Sequence, residues 1–185
     1  MHTTTRSTLV AVIAMAGLVL PAHNALADDP LPTKQQWLAD VDQAMRDAKP
    51  YLHDRKAKGG NNLAIVLDID NTALQTHYAP GEATPAVLDA ARYAKANGYS
   101  VLFASYRRDA ESAQDSVADA GYPVDGMCVR SPDDSGKADT KQRCRQEYTD
   151  AGYTITANIG NRSTDLEGGN YEKPFKLPDY NGRLS

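Results

Sequence analysis

The sequence predicts an α/β protein in which a mostly parallel sheet lies between two layers of helices, a Rossmann-like three-layer arrangement. Short apolar segments recur along the chain after glycine or polar residues, and amphipathic helical segments separate them. Such alternation of strand and helix is typical of parallel sheets with helices on both faces. The length of 185 residues is sufficient for one domain of this kind.

The first 27 residues are expected to lie outside this domain. Arg6 precedes an apolar run, Leu9 to Leu20, and Ala25-Leu26-Ala27 has the small-x-small spacing of a cleavage site. The apolar run is shorter than the ~20 residues that cross a bilayer, so the pattern favours a secretory signal peptide over a membrane anchor. We therefore expect cleavage after Ala27 and a secreted domain of residues 28–185 without a membrane anchor.

The first helix after this segment is predicted at about residues 33–49. Thr33 can cap it, apolar residues recur on one of its faces, and Pro50 is expected to end it. We expect this helix to pack against the domain as a brace. A basic connection over residues 51–62 would then lead into the central strand.

The central strand is the continuous apolar run of residues 63–67, which is typical of a strand buried on both faces. A loop follows, and then a helix with Thr84 as N-cap and Pro85 at its first position, which ends before Gly98. The same signals predict the later elements: strand 100–104, helix 109–120, strand 126–130, helix 137–151, strand 153–159, a helical turn within 161–170 and a short strand at 175–177. The tail after Pro178 is expected to be loosely ordered.

Charge and cysteine content limit the partners of the chain. The formal net charge is −4, or −5 without Arg6, and no cluster of Lys and Arg occurs, so a nucleic-acid partner is not expected. The two cysteines, Cys128 and Cys144, suit either one disulfide or two buried thiols in a secreted protein. A zinc site is not expected, because two thiols without nearby ligands cannot complete a tetrahedral shell.

Polar residues follow the predicted strands, at the edge of the sheet where ligands of open α/β folds bind. Two carboxylates, a hydroxyl, an ammonium group and a further amide and carboxylate would meet there: Asp68, Asp70, Ser105, Lys137 or Lys141, Asn161 and Asp165. This set suits phosphoryl transfer, in which one aspartate is a nucleophile and another an acid and base. Several carboxylates at one edge also favour a cation, and Mg²⁺ prefers such oxygen ligands.

The residues that carry this chemistry resemble the motifs of the haloacid dehalogenase (HAD) superfamily. Asp68-Ile69-Asp70-Asn71-Thr72 matches its D-x-D-x-T signature, and Ser105 follows a strand as in its second motif. Lys141 occupies the place of the third-motif lysine, and the segment 160–165 resembles the fourth motif. Residues 51–179 look most like the secreted acid phosphatases of subfamily IIIB, which include plant acid phosphatases, vegetative storage proteins and bacterial enzymes.

The resemblance implies a role for each of these residues. Asp68 would be the nucleophile and a Mg²⁺ ligand, and Asp70 would be the acid and base and offer its backbone carbonyl to the metal. Ser105 would hold a phosphoryl oxygen, and Lys141, with Lys137 as the alternative, would neutralise it. Asn161 and Asp165 would complete the metal site. The substrate would be a phosphomonoester, either a small molecule or an exposed phosphate on a larger partner.

The sequence departs from the family pattern at three points. Asn161 replaces the usual aspartate of the fourth motif, so we expect weaker metal binding unless Asp165 compensates, and Tyr106 replaces a common glycine. The segment between Asn71 and Ser105 has room for a loop and one helix but not for a cap domain, which predicts an open site. His77 follows the first motif and could line the entrance. The alternatives are a non-catalytic or weakly active phosphate-binding or storage-type relative, which Asn161 in the fourth motif favours, and a phosphotransferase.

Overall fold

The computed structural model describes residue 2 and residues 30–184, and the folded unit comprises Leu31–Ser185. The predicted signal peptide of residues 1–27 lies outside the described residues, apart from residue 2. None of the helices in the part of the chain that the structure describes has the length and apolar character needed to cross a bilayer.

A five-stranded sheet forms the centre of the domain, and all of its strand pairs are parallel. Its strands are β1 (Leu63–Leu67), β2 (Ser100–Ala104), β3 (Gly126–Cys128), β4 (Thr154–Gly160) and β5 (Lys173–Lys176). Their spatial order is β3-β2-β1-β4-β5. Along the chain, β2 and β3 are added on one side of β1, and β4 and β5 are then added on its other side. The carboxyl ends of β1 and β4 flank the point of reversal, where open α/β sheets bind ligands.

Four helices agree with the sequence predictions: α3 (Pro85–Ala96), α4 (Ala110–Asp119), α5 (Lys137–Asp150) and the short α6 (Ser163–Leu166). The predicted α/β fold with its parallel sheet is therefore confirmed. The connection between β1 and β2 consists of a loop and α3 and contains no cap domain.

The prediction of one helix over residues 33–49 is wrong, because two helices lie there, α1 (Lys34–Met45) and α2 (Ala48–Ala57). Pro50 does not end a helix but occupies the third position of α2. Amide groups in the first turn of a helix have no intrahelical partner, so a proline is tolerated there. The predicted basic connection is therefore largely helical. The brace itself is present, since Trp37 and Val41 of α1 are fully buried.

Side chains of the strands alternate between two unequal cores. Ile65 and Leu67 of β1 join a large cluster with residues of α1 to α4, and we call this side the apolar face. Ala64 and Val66 point to the opposite side, which α5 covers and which we call the polar face. The polar face has only seven buried apolar residues in its cluster, and Cys128 and Cys144 are two of them.

Those two cysteines form a disulfide bond with 5.6 Å between their Cα atoms. The bond joins the end of β3 to the middle of α5. Of the two states that the sequence left open, the structure has the disulfide.

Candidate active site

The loop after β1 brings two carboxylates to the polar face. Asp68 and Asp70 are two residues apart, so they continue the alternation of β1 on the side of Ala64 and Val66. The Asp68 amide still donates to the Ile159 carbonyl of β4 at 2.9 Å, which fixes the start of the loop. Asn71 then adopts a left-handed conformation with φ of 54°, which asparagine tolerates better than most residues.

Lys141 of α5 lies between two buried carboxylates at the bottom of the site. Its Nζ donates to Asp68, to Asp165 at 2.9 Å and to the Ala104 carbonyl at 2.6 Å. The lysine side chain is 4% exposed. One ammonium group therefore faces two carboxylates in a place that water hardly reaches, and the cluster has an excess of negative charge.

The pKa values of this cluster reflect that excess. Burial and the neighbouring Asp165 carboxylate raise the pKa of Asp68 more than Lys141 lowers it. Burial alone would lower the pKa of Lys141, but the two carboxylates raise it above its ordinary value. A further cation or a proton would therefore be favourable at this site.

Asp70 has a different environment from Asp68. Arg107 forms a two-pronged ion pair with it, with Nε 3.0 Å from Oδ2 and Nη2 2.7 Å from Oδ1. The Thr76 hydroxyl donates to the same carboxylate at 2.8 Å. Burial would raise the pKa of Asp70, but the hydrogen bonds from Arg107 and Thr76 lower it below its ordinary value. Asp70 is thus held as a carboxylate in the free protein.

Asn161 follows β4, and hydrogen bonds hold both its backbone and its side chain. Its backbone amide donates to the Thr72 hydroxyl at 3.0 Å, and its side-chain Nδ2 donates to the Leu184 carbonyl at 2.8 Å. Leu184 is fully buried, so the expectation of a loosely ordered tail is wrong at this point. The tail fixes which way the amide faces and leaves Oδ1 of Asn161 with only a long contact of 3.5 Å to Thr72.

Asp165 contacts β4 closely, and both of its oxygens have donors. Oδ1 pairs with Lys141, and Oδ2 accepts from the Arg162 amide at 2.8 Å. A Cβ atom on Gly160 would lie 2.4 Å from the Cβ of Asp165, so only glycine allows this approach. Asp165 therefore acts as a partner of the lysine in this structure, and each of its oxygens keeps one further acceptor site.

A cavity of about 340 Å³ opens above these groups. Most of the residues proposed for the site from the sequence line it, namely Asp68, Asp70, Lys137, Lys141, Asn161 and Asp165. Lys137 is exposed and has no partner among the described residues, whereas Lys141 contacts Asp68 directly. Of the two lysines that the sequence offered, Lys141 is therefore the one in contact with the carboxylates.

Two other candidates lie outside this lining. Ser105 is buried at the end of β2, where its Oγ accepts from the Arg107 amide at 3.2 Å. His77 is exposed and packs edge-on against the Tyr78 ring, with 4.7 Å between the ring centroids. The neighbouring Thr76 lines the cavity instead.

Sequence reasoning missed Arg107, Arg162 and Thr164 as cavity residues. The position of Arg107, two residues after Ser105, was a usable signal, because residues after a strand lie at the ligand edge. No local pattern distinguishes Arg162 and Thr164 from ordinary loop residues. The Thr164 hydroxyl is buried at the cavity without a hydrogen-bond partner among the described residues, so it can bond to a ligand or a water.

The fold and the position of the cavity at the strand reversal define a Rossmann-like α/β protein with a site at the carboxyl edge of its sheet. The chain belongs to the HAD superfamily, subfamily IIIB (acid phosphatase), whose sequence model matches residues 79–183. It is thus a phosphomonoesterase of the HAD type. The matched range does not include Asp68 and Asp70, so the argument for these two rests on their own pattern and geometry.

A solved structure has a similar fold. The class C acid phosphatase from Bacillus anthracis superimposes with a TM-score of 0.62 at 19% sequence identity, over 79% of this chain and 79% of that one. No curated protein matches the sequence. At this identity the structural likeness supports the fold alone.

Proposed function

We propose that this chain is a secreted, Mg²⁺-dependent acid phosphatase that hydrolyses phosphomonoesters through a phosphorylated Asp68. The observation that carries the proposal is the pair of carboxylates after β1. One of them is buried against a lysine, and the other is half-buried at the cavity. Family membership supports phosphomonoester hydrolysis, and the apolar run before Ala27 supports secretion.

In the first half of the proposed reaction, an oxygen of Asp68 attacks the phosphorus atom. A bond forms between that oxygen and phosphorus, and the bond from phosphorus to the alcohol oxygen breaks. Lys141 holds Oδ1 of Asp68, which leaves Oδ2 to attack. The same ammonium group and the Ser105 hydroxyl are suited to neutralise the phosphoryl oxygens.

Asp70 would transfer the proton in each half of the proposed reaction. It donates a proton to the leaving alcohol oxygen, and it then accepts a proton from the water that attacks the phosphorylated aspartate. To donate first, Asp70 must be protonated, but Arg107 holds it as a carboxylate in the free protein. A doubly charged phosphate entering the cavity competes for the Arg107 guanidinium, and loss of that partner raises the pKa of Asp70. Acidic conditions favour the same protonation.

The residues present fit a Mg²⁺ ion, although not a tightly held one. Among the described residues, no group of three or more His, Cys, Asp or Glu side chains is placed to hold a metal. Asp68, the backbone carbonyl of Asp70 and Oδ1 of Asn161 would hold the ion, and Asp165 would join them by sharing an oxygen that already accepts from Lys141 or Arg162. Few protein ligands with additional waters are usual for Mg²⁺. When bound, Mg²⁺ supplies positive charge beside the phosphoryl oxygens.

A weakly active phosphate-binding or storage protein is the second candidate, and Asn161 is the observation that favours it. A neutral amide at this position attracts a divalent cation less than a carboxylate would. The two candidates differ in turnover at saturating Mg²⁺.

The test is hydrolysis of an aryl phosphate by residues 28–185, with and without Mg²⁺, from about pH 4 to about pH 8. We expect turnover that depends on Mg²⁺ and passes through a maximum at mildly acidic pH, because Asp70 must be protonated while Asp68, whose pKa is raised in the free protein, must be a carboxylate. Asp68→Asn should lower kcat by at least roughly 10³-fold while the circular dichroism spectrum stays unchanged. Asp119→Asn on the exposed end of α4 is the matched control and should retain full activity. Absence of turnover at high Mg²⁺ in a folded sample would favour the second candidate.

A further inference from the structure

A second cavity lies beside the catalytic one and is lined by two arginines. It has a volume of about 320 Å³, and its lining consists of Arg108, Arg130, Ser131 and Pro132. The Arg130 guanidinium lies over the ring of Tyr106, 4.6 Å from the ring centroid. Tyr106 itself lines the catalytic cavity. One residue of the stacked pair of Tyr106 and Arg130 therefore lines each cavity.

The loops that form the second cavity are tied to the catalytic residues. The Arg130 amide donates to the Arg107 carbonyl at 3.0 Å, while the Arg107 side chain holds Asp70. Arg108 is three residues after Ser105, so their Cα atoms are at most about 11 Å apart. The lining residues of the two cavities are thus close neighbours, so a small molecule long enough to reach both cavities is the ligand to test.

The two guanidinium groups have no carboxylate partner within the described residues. Among the described residues, the Arg108 side chain forms no hydrogen bond or ion pair, and the polar or ring interaction of the Arg130 guanidinium is its stack on the Tyr106 ring. Two arginines without a carboxylate partner in the described part of the chain thus line one cavity of a protein with a net charge of −4. They create a local positive potential next to the site of phosphate chemistry.

Two of the three acidic side chains of the same loops are engaged elsewhere. Asp109 caps α4 by accepting from the Ser112 amide at 2.7 Å. Asp134 is held by Arg143, with 2.8 Å between Oδ1 and Nε. Asp133 is exposed and forms no ion pair in the described part of the chain. The loops that line the second cavity thus carry two arginines against one unpaired carboxylate, that of Asp133, which leaves a positive balance of charge.

We propose that the second cavity binds a second phosphate group of the substrate, so that the preferred substrates are phosphomonoesters that carry another phosphate. The inference rests on the proposed phosphatase function. Guanidinium groups present paired N–H donors that match phosphate oxygens, and two arginines line this cavity. The stack on Tyr106 limits the rotation of Arg130 and keeps its donors at the boundary between the cavities.

The test compares alkanediol bisphosphates with the monophosphates of the same diols over a series of chain lengths. At the length that spans both cavities, we expect kcat/KM for the bisphosphate to be about tenfold higher, beyond the statistical factor of about two for its two reactive ends. The preference should decrease with added salt, since the arginines are exposed to solvent. Equal kcat/KM values at all lengths, after the statistical correction, would overturn the proposal.

Variants connect the preference to the two arginines. The double variant Arg108→Gln/Arg130→Gln should reduce the ratio of bisphosphate to monophosphate to the statistical factor. Arg46→Gln is the matched control, because Arg46 is an exposed arginine at the end of α1, and it should retain the full ratio. An unchanged ratio in the double variant would contradict the assignment to the two arginines. An equal gain in kcat/KM from a terminal carboxylate in place of the second phosphate would contradict the assignment to phosphate.

A binding measurement shows whether this inference or the phosphatase proposal is wrong. The Asp68→Asn variant cannot form the phosphorylated aspartate, so calorimetry on it measures affinity without turnover. We expect the bisphosphate to bind about tenfold more tightly than the monophosphate even if the natural protein proves inactive. Turnover of the monophosphate with equal binding of both compounds would reject the second cavity and leave the phosphatase proposal intact.

Discussion

On the apolar face of the sheet, α1 to α4 cover a large continuous core, whereas on the polar face α5 covers a small one. Trp37 and Phe103 are fully buried on the first side. On the second side the helix buries Lys141 and Arg145, and a disulfide supplies part of the few apolar contacts. The charged groups of the candidate site belong to the polar face. That face therefore depends for its stability on paired charges and a covalent bond rather than on apolar area.

The largest expected effect comes from removing the lysine of the polar face. Lys141→Met leaves the buried carboxylates of Asp68 and Asp165 without their shared cation, and we expect a loss of about 3–5 kcal/mol in the free energy of unfolding. Turnover should also be abolished. Urea denaturation at neutral pH measures the change. Lys137→Met, on the same helix but exposed and without a partner in the described structure, should change stability little, and equal losses in both variants would contradict the account.

Loss of the disulfide is the next largest effect. The bond closes a segment of 16 residues, for which chain entropy predicts a stabilisation of about 3 kcal/mol. Replacing Cys128 and Cys144 by alanine, or adding a reductant, should lower the denaturation midpoint and loosen α5 beside Lys141. We expect activity to fall at lower denaturant concentrations than in the oxidised protein. A midpoint that does not respond to reductant would show that the polar face is stable without the bond.

A smaller and pH-dependent effect is expected at Asp134, which connects the loop before α5 to the helix. Hydrogen bonds from Arg143 and Thr140 hold the pKa of Asp134 well below its ordinary value. Since the folded-state pKa is the lower one, the stabilisation is fully present above about pH 4 and is lost as the pH falls below that value. Asp134→Asn should cost about 2 kcal/mol at neutral pH.

The difference in the free energy of unfolding between the natural protein and Asp134→Asn should then decrease in acid. Denaturation curves at several pH values measure this difference. Asp133→Asn, at the exposed neighbouring residue, is the matched control and should change stability little. A loss in Asp134→Asn that is independent of pH would contradict the ion pair as its cause.

The smallest expected effect is at Asn161, where stability and metal binding should change in opposite directions. In Asn161→Asp an oxygen replaces Nδ2 opposite the Leu184 carbonyl, so the hydrogen bond to the tail is lost. Without Mg²⁺ we expect a loss of about 1 kcal/mol. With Mg²⁺ the added charge should tighten binding of the ion and raise activity at low Mg²⁺ concentrations. Denaturation and activity titrations with Mg²⁺ measure the two effects, and an unchanged Mg²⁺ dependence would exclude Asn161 from the metal site.

The strands and the helices α3 to α5 could be predicted from sequence, because local signals determine them. Apolar runs, the Thr84-Pro85 start and the stop at Gly98 act within a few residues. The break between α1 and α2 was missed because a proline can either end one helix or begin the next, and packing decides between them. The position of the site at the strand ends followed from the fold class alone.

Contacts between distant segments could not be predicted in the same way. The ion pair of Arg107 with Asp70 depends on how β1 and β2 align, and docking of Leu184 beside Asn161 depends on the path of the tail. The disulfide depends on the distance between a strand and a helix, which cysteine spacing does not reveal. These contacts set the charge states and orientations on which the proposed chemistry depends.

The central claim, that Asp68 carries the phosphoryl group, is tested most directly by acid quenching during turnover. We predict that mass spectrometry of the quenched protein finds one added phosphoryl group, that it maps to the peptide containing Asp68, and that hydroxylamine removes it as expected for an acyl phosphate. Asp68→Asn should show none. Rapid turnover with no phosphoryl group on Asp68, or with the group on another residue, would contradict the account.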